Sequence, residues 1–502
     1  MAILMTELCE KGVDLIWKQC DETQFSKGME YLEEAMRAGD PEALFFLGYC
    51  FSWGDGATGF NDQKAYECYK EGARSGSYRC VPGALRAGRF DDVMRKEARF
   101  TEQESYEAVL DAAKQGDAFA AWQIGAALEW EEPVIFTLWP DMRIKDCLYW
   151  YEKAAEGGVV NAMVKAGKCY MEGRYTEQDT EKGNYYANNA ASLGHAWGLY
   201  RMGIYYQEKG NDEAAFDYFA AASSQGDKNA PYCLGCMYLT GRGTDKDIKR
   251  AIEELEVAAD RENKQCLLEL GDIFYRDELV ERDNERAFFW YSRAYSVGES
   301  RAALPLGHLY LSAWDKQDYQ KAAKLFIESA KTEEDGSAFL ALGNMSRYGI
   351  GQEPDLELAL HLYELGAERG NAECMEILGN LYFQGEEVEE DHGKAFHWLE
   401  TCRQNGTLQS YDILGYLYLK GDGCEADVEL AKELLLIAVE DECDGFASYA
   451  LGYLYEQQEE SAEDLDMAAA YYQYAIDLGN ESAARRFSHF KKNLFGKWKI
   501  VY

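Results

Sequence analysis

Cys233 and Cys236 stand in "PYCLGCMYL", a Cys-x-x-Cys within a stretch of helical patterning. On a helix the two sulfurs share a face, which suits a dithiol redox couple or half of a metal site. Zinc needs two further thiolate or imidazole ligands, and no second Cys pair or nearby His supplies them. Packing between helices is the expected role. The six histidines are His195, His308, His361, His392, His397 and His489, and none stands at a catalytic spacing. Glu364 and Glu400 follow His361 and His397 by three residues, as ordinary neighbours on a helix surface do. Gly-x-Gly occurs at Gly54/Gly56, Gly241/Gly243, Gly349/Gly351 and Gly421/Gly423. A phosphate-cradling loop follows a strand and opens a helix. These instead follow a helix and lead to its partner, where left-handed C-caps are expected. No catalytic residue, cofactor or metal is expected, and the chain is read as non-enzymatic.

What positions any surface chemistry is a repeat. Glycine follows an apolar residue at Gly48, Gly88, Gly125, Gly167, Gly203, Gly235, Gly271, Gly307, Gly343, Gly379, Gly415 and Gly452. The intervals are 40, 37, 42, 36, 32, 36, 36, 36, 36, 36 and 37. Ala251, Ala287, Ala323, Ala359, Ala395 and Ala431 form a second series, also 36 apart. Two series with one period indicate a solenoid. Within "SRAALPLGHLYLS", Leu306, Gly307 and Tyr310 share a helical face, and "YQKAAKLFIESAK" supplies a second helix. Each unit is then a helix hairpin that buries its faces only by stacking on its neighbours. The segment "GNLYFQG" at 379–385 looks like a protease-cleavage tag. It is in phase with the segments 36 residues before and after it, and Gly replaces the Glu a tag requires, so it is read as native repeat.

The pattern A-x-x-x-L-G-x-x-Y-x-x-G-x-G followed by D-x-x-K-A-x-x-W-Y-x-x-A-A-x-x-G resembles the Sel-1-like repeat family, relatives of tetratricopeptide repeats. "APYCLGCMYLTGRGTDKDIKRAIEELEVAA" and "CLYWYEKAAEGG" carry the resemblance, which covers about residues 41–480. It implies an all-α, right-handed α-solenoid superhelix of about twelve helix-turn-helix repeats with a concave binding surface. Residues 1–40 are expected to be an N-terminal helical cap or degenerate repeat, 41–480 the array, and 481–502 a C-terminal capping helix with a basic tail. The unit around Gly88 is degenerate, and Pro305 should kink a first helix or delay its start.

Composition narrows the function. There are 51 basic and 90 acidic residues, a formal net charge of −39, which argues against a general nucleic-acid binder. The hydrophobic fraction of 47% suffices for a core. No secretory signal or membrane span is expected at the N-terminus. The fourteen cysteines do not recur at one phase of the repeat, so they read as thiols of a cytoplasmic protein.

By resemblance to tetratricopeptide arrays, first-helix positions six and three before the glycine, and one, four and five after it, should face inward. They include Trp122, Trp130, Asn161, Lys168, Trp197, Tyr200 and Tyr232. Large amphipathic rings beside Asn and Lys are the composition of a protein-contact surface. Across the twelve units these positions hold ten acids and six bases, so the inner face is not where the surplus acid is concentrated. The 42-residue interval after Gly125 contains an insertion at 131–142. Its Val134, Ile135, Phe136, Leu138 and Trp139 are read as a loop that either folds back or forms a contact patch. The resulting reading is a protein-interaction scaffold that binds a protein or peptide in the groove, around Trp122, Trp130, Asn161, Lys168, Trp197, Tyr200 and Tyr232, with Phe136 and Trp139 beside it. An enzyme with a small-molecule or hydrolytic site in the groove, and a self-oligomerising regulatory array, are the alternatives.

Overall fold

An Asp or Asn begins most second helices, and the backbone shows why. Asp179, Asn211, Asp247, Asp283, Asp355 and Asp391 each accept a hydrogen bond from the amide three residues on. That satisfies one of the orphan donors of a helix N-terminus. The amides of Asp179, Asp247, Asp355 and Asp391 also donate back to Tyr170, Tyr238, Ser346 and Tyr382 at 2.8–3.0 Å. The same residue thus closes the loop behind it and starts the helix ahead of it.

The computed structural model describes residues 5–17, 22–53, 61–312, 315–332, 336–406, 409–442, 444–458, 462–492 and 498–501. Among them are 29 α-helices, two short 3-10 turns and one two-stranded antiparallel hairpin. The protein is an all-α solenoid of helix hairpins. It divides into two units, Met1–Glu281 and Arg282–Tyr502. No helix among the described residues is long and apolar enough to cross a membrane.

The glycine series exists because the hairpins close tightly. A Cβ on Gly125 would stand 2.8 Å from the Tyr151 ring, one on Gly343 2.5 Å from Tyr363, and one on Gly452 2.7 Å from Tyr472. Smaller partners do not remove the need, since a Cβ on Gly379 would meet Leu399 at 2.5 Å. The alanine series is the matching surface: Ala251, Ala287, Ala359, Ala395 and Ala431 are fully buried. In the remaining unit Ala322, not Ala323, takes the buried place, because its capping residue Asp318 comes one residue early. The loop glycines behave as expected of caps: Gly241, Gly349 and Gly421 are left-handed at φ 72°, 66° and 64° and close their helices. Gly54 and Gly56 lie outside the described residues.

Several expectations need correction or refinement. Gly88 does not belong to the helical series; it follows the Cys80–Arg86 helix at φ +66°. Gly83, inside that helix, is the glycine that packs closely, against Phe45 and Tyr69 of the preceding hairpin. The insertion is not a loop throughout: Pro133–Leu138 is helical, with proline at its start. The tail beyond Glu481–Phe487 is not helical; Phe490–Lys492 pairs with Trp498–Ile500, and Phe490 packs on Tyr472. Pro305 does delay its helix, which begins at Ala303 after a 3-10 turn at Ser300–Ala302. The tag-like segment is the end of the repeat helix Ala372–Gln384, closed by Gly385 in a left-handed cap.

In the first unit the Glu7–Trp17 helix packs on Glu22–Arg37 and Pro41–Trp53, with Trp17 against Phe46 and Phe119. Arg79 is a buried charge there, 2.8 Å from Glu42 and paired with Asp117. It ties the Pro41–Trp53 helix to the residue that caps Ala118–Glu129.

Candidate functional site

Asp117 accepts from the Ala120 amide at 2.8 Å and starts the helix Ala118–Glu129. Its apolar run buries nearly every side chain, and Glu129 comes last. The partner helix Cys147–Glu156 brings Tyr151 against Gly125. The following helix, Val160–Glu172, places Asn161, Val164, Lys165 and Lys168 along one face, at spacings of three, one and three. Gly173 ends it in the left-handed region at φ 65° and turns Arg174 toward Glu129.

These elements enclose a cleft of about 330 Å³, lined by Trp122, Glu129, Asn161, Val164, Lys165, Lys168, Cys169, Glu172 and Arg174. Glu129 is its hub. Its side chain is 6% exposed; it accepts from the Tyr151 hydroxyl at 2.6 Å and Lys165 Nζ at 2.7 Å, and faces Arg174 at 3.6 Å. Burial disfavours the carboxylate, but Lys165, Tyr151 and Arg174 outweigh it and hold the Glu129 pKa below its ordinary value. Burial, then the hydrogen bond to Glu129, drives the Tyr151 pKa far up, so the phenol stays protonated and donates.

Lys168 is exposed, and its ammonium lies over the Trp197 ring, 5.7 Å from the centroid. Among the described residues it has no carboxylate partner. Gly167 makes room for that ring, since a Cβ there would meet Trp197 at 2.7 Å. His195 starts the Trp197 helix by accepting from the Trp197 amide at 3.1 Å. Burial and the nearby Lys168 charge lower its pKa to about 4, so it remains a neutral acceptor.

Trp122, Asn161 and Lys168 therefore meet in one cleft, with Trp197 adjoining. Trp122 contributes a wall rather than a free anchor: it is 8% exposed and tilts against Tyr151. Tyr200 and Tyr232 are half-buried in later repeats and do not line the cleft; Tyr200 packs on Phe219. Trp130 is 46% exposed under the Arg86 guanidinium. Phe136 and Trp139 fold back on the array. With Val134 and Leu138 they pack partly buried on the core, and Ile135 is fully buried. Leaving that apolar run in water would have sacrificed the burial it gains. Cys233 and Cys236 lie on the helix Ala230–Thr240, and burial raises both thiols, Cys233 to about 12, away from thiolate chemistry.

Three groups escaped the sequence reading: Glu129, Lys165 and Arg174. Glu129 had a signal, an acid between Leu128 and Trp130 at an inward position of an apolar helix. Lys165 sits two residues before Gly167, outside the five inward positions, and Arg174 reaches the site only through the loop after Gly173.

The Sel1 repeat pattern matches eleven stretches: 41–77, 143–159, 160–195, 198–227, 232–263, 264–298, 301–331, 338–371, 372–401, 409–441 and 445–480. The chain belongs to the Sel1 repeat family. Residues 78–142 lie outside the matched stretches, so the wall carrying Trp122 and Glu129 comes from a part that departs from the Sel1 pattern. An uncharacterised protein of Neisseria meningitidis serogroup B is 26% identical over 271 residues, 54% of this chain and 54% of that protein. The ERAD-associated E3 ubiquitin-protein ligase component HRD3B of Arabidopsis thaliana is 28% identical over 134 residues, 26% of this chain and 22% of its own. The chitin synthase regulator SKT5 of Saccharomyces cerevisiae is 26% identical over 240 residues, 44% of this chain and 34% of its own. The chain thus spans about half or less of these relatives. Among solved structures, a protective antigen of uropathogenic Escherichia coli with a Sel1-like repeat fold is 21% identical with a TM-score of 0.65, covering 93% of this chain and 98% of that one. That likeness shows the fold.

Proposed function

We propose that this Sel1 repeat protein is a non-enzymatic interaction scaffold, and that an extended or helical peptide of a partner docks in the cleft beside Trp122, Asn161 and Lys168. Trp197 extends the same surface, and Tyr200 and Tyr232 continue it in later repeats. The observation that carries the reading is Lys168: an exposed cation without a carboxylate partner among the described residues, held over an indole ring. Such a pair offers charge and flat apolar area together, the composition that dominates protein contacts. HRD3B is a component of an ERAD-associated E3 ubiquitin-protein ligase and SKT5 a regulator of chitin synthase, which supports the reading. The scattered, non-recurring cysteines support a cytoplasmic location.

Site-specific photo-crosslinking tests it. A benzophenone amino acid replacing Asn161 should capture a partner from the native cell, and the same group replacing the exposed Tyr149 should not. Equal capture at both positions, or turnover of a small substrate that depends on cleft residues, would contradict the reading.

A further inference from the structure

The arrangement around Glu129 is built a second time, in the unit Arg282–Tyr502. Glu456 follows Gly452 by four residues, as Glu129 follows Gly125. Of the eleven glycines of the series that lie within first helices, these two alone have an acid at that distance. The Tyr472 hydroxyl donates to Glu456 at 2.5 Å, as Tyr151 donates to Glu129. The ring three residues before the glycine leans on that tyrosine in both places. Trp122 meets Tyr151 at 5.2 Å and 40°, and Tyr449 meets Tyr472 at 6.0 Å and 44°.

The next first helix completes each copy. Lys165 stands six residues after the N-cap Val159, and Arg486 six after the N-cap Asn480. Arg486 donates to Glu456 at 2.6 Å. Lys168 and His489 both stand nine residues after those caps. The second cleft measures about 380 Å³.

In both copies the acid is buried, with side chains 6% and 5% exposed, while its cations are more open to solvent. The glutamate fixes the cation in place without using all the positive charge around it. Full charges on the lining of the first cleft are Lys165, Lys168 and Arg174 against Glu129 and Glu172. In the second they are Arg485 and Arg486 against Glu456, leaving His489 out of the count; Arg485 also meets Glu481 at 3.4 Å, in a pair so exposed (80% and 86%) that a ligand carboxylate can replace it. The residues lining each cleft therefore sum to +1, in a chain of net −39.

We infer that each cleft receives one carboxylate of an acidic peptide segment, held chiefly by Lys168 in the first unit and by Arg485 in the second. The aromatic wall takes the apolar side chain next to that carboxylate. This rests on the scaffold reading above and names the chemistry of the partner. One spare positive charge matches a monoanion, whereas a phosphate dianion would face the glutamate of the site with charge left over. The acid-rich surface around them disfavours an acidic segment elsewhere, which steers it toward such basic spots.

Immobilised peptide pools test the inference. Each pool has one fixed central residue, Glu, Gln or phosphoserine, flanked by mixed apolar and small residues, and is probed with the full chain. Glu pools should retain roughly tenfold more protein than Gln pools, the scale of a charge-assisted hydrogen bond. Lys168→Ala or Arg485→Ala should each reduce that preference, and the double variant should abolish it while melting like the parent. Both side chains are solvent-facing, so the fold should tolerate the changes. Equal retention on Glu and Gln pools, or a preference unchanged in the double variant, would overturn the inference. So would strongest retention on phosphoserine, which would assign a phosphate instead. If Glu and Gln pools are equal but retention falls in Trp197→Ala, the carboxylate inference fails and the scaffold reading stands. If no pool is retained, both fail.

Discussion

The Tyr151 hydroxyl donates a 2.6 Å hydrogen bond to Glu129 across the hairpin that closes at Gly125. One contact thereby joins the closure of a hairpin to the charge arrangement of the cleft. The glycine admits the ring, the ring delivers the hydroxyl, and the hydroxyl shares Glu129 with Lys165 from the next repeat.

Glu129→Gln should therefore destabilise the first unit by about 1–2 kcal/mol at pH 7, because Lys165 and Arg174 lose their shared anion. The Glu129 pKa is lower in the folded state than in the unfolded chain. Its contribution is then fully present above the unfolded value of about 4.3, and is lost as pH falls through the lower folded value. Urea unfolding of parent and variant across that range should show the two curves converging in acid. A difference independent of pH would show that packing, not charge, sets the cost.

Arg79 should be the costlier charge to remove. Its side chain is 2% exposed and faces Glu42 at 1%. Arg79→Ala leaves a carboxylate buried without its counter-ion, at a cost of about 3–5 kcal/mol. Adding Glu42→Gln should recover part of that loss. Additive losses in the double variant, read from denaturant midpoints, would contradict the pairing.

Why the repeat was readable while the cleft was only half readable follows from what recurs. The glycine and alanine series reappear in many units because each hairpin meets the same steric demand. Glu129 and Arg174 are single residues whose meeting depends on one loop and one left-handed glycine, so no period announces them. Gly88 mimics the series in spacing, but only three-dimensional contact shows that Gly83, and not Gly88, is the close-packed glycine of its helix, against the Tyr69 ring that Gly48 also meets. Val134 to Trp139 would read alike as a patch or as a packed helix, since apolarity is common to both. Trp122 stands at an inward position, yet its ring turns toward Tyr151, a choice of rotamer that spacing does not encode. The strands at Phe490 and Trp498 are three residues each, too short for an alternating pattern.

The tail should act as an end cap. Phe490 is 6% exposed and packs on Tyr472, with Phe487 and Trp498 around it. Deleting residues 489–502 should uncover that cluster, lower the melting temperature and promote association. Light scattering and thermal melts check this. A truncated chain that stays monomeric and equally stable would remove the capping role.

The central claim is that a partner peptide docks on Lys168 and Trp197 beside the Trp122 wall. Calorimetric titration of the captured partner into the parent, Trp197→Ala, Lys168→Ala and the exposed control Tyr185→Ala tests it most directly. Trp197→Ala should weaken binding by about 2 kcal/mol or more and Lys168→Ala by about 1–2 kcal/mol, with Tyr185→Ala within a few tenths of the parent. If folded Trp197→Ala and Lys168→Ala proteins bind as tightly as the parent, the cleft is not the docking site.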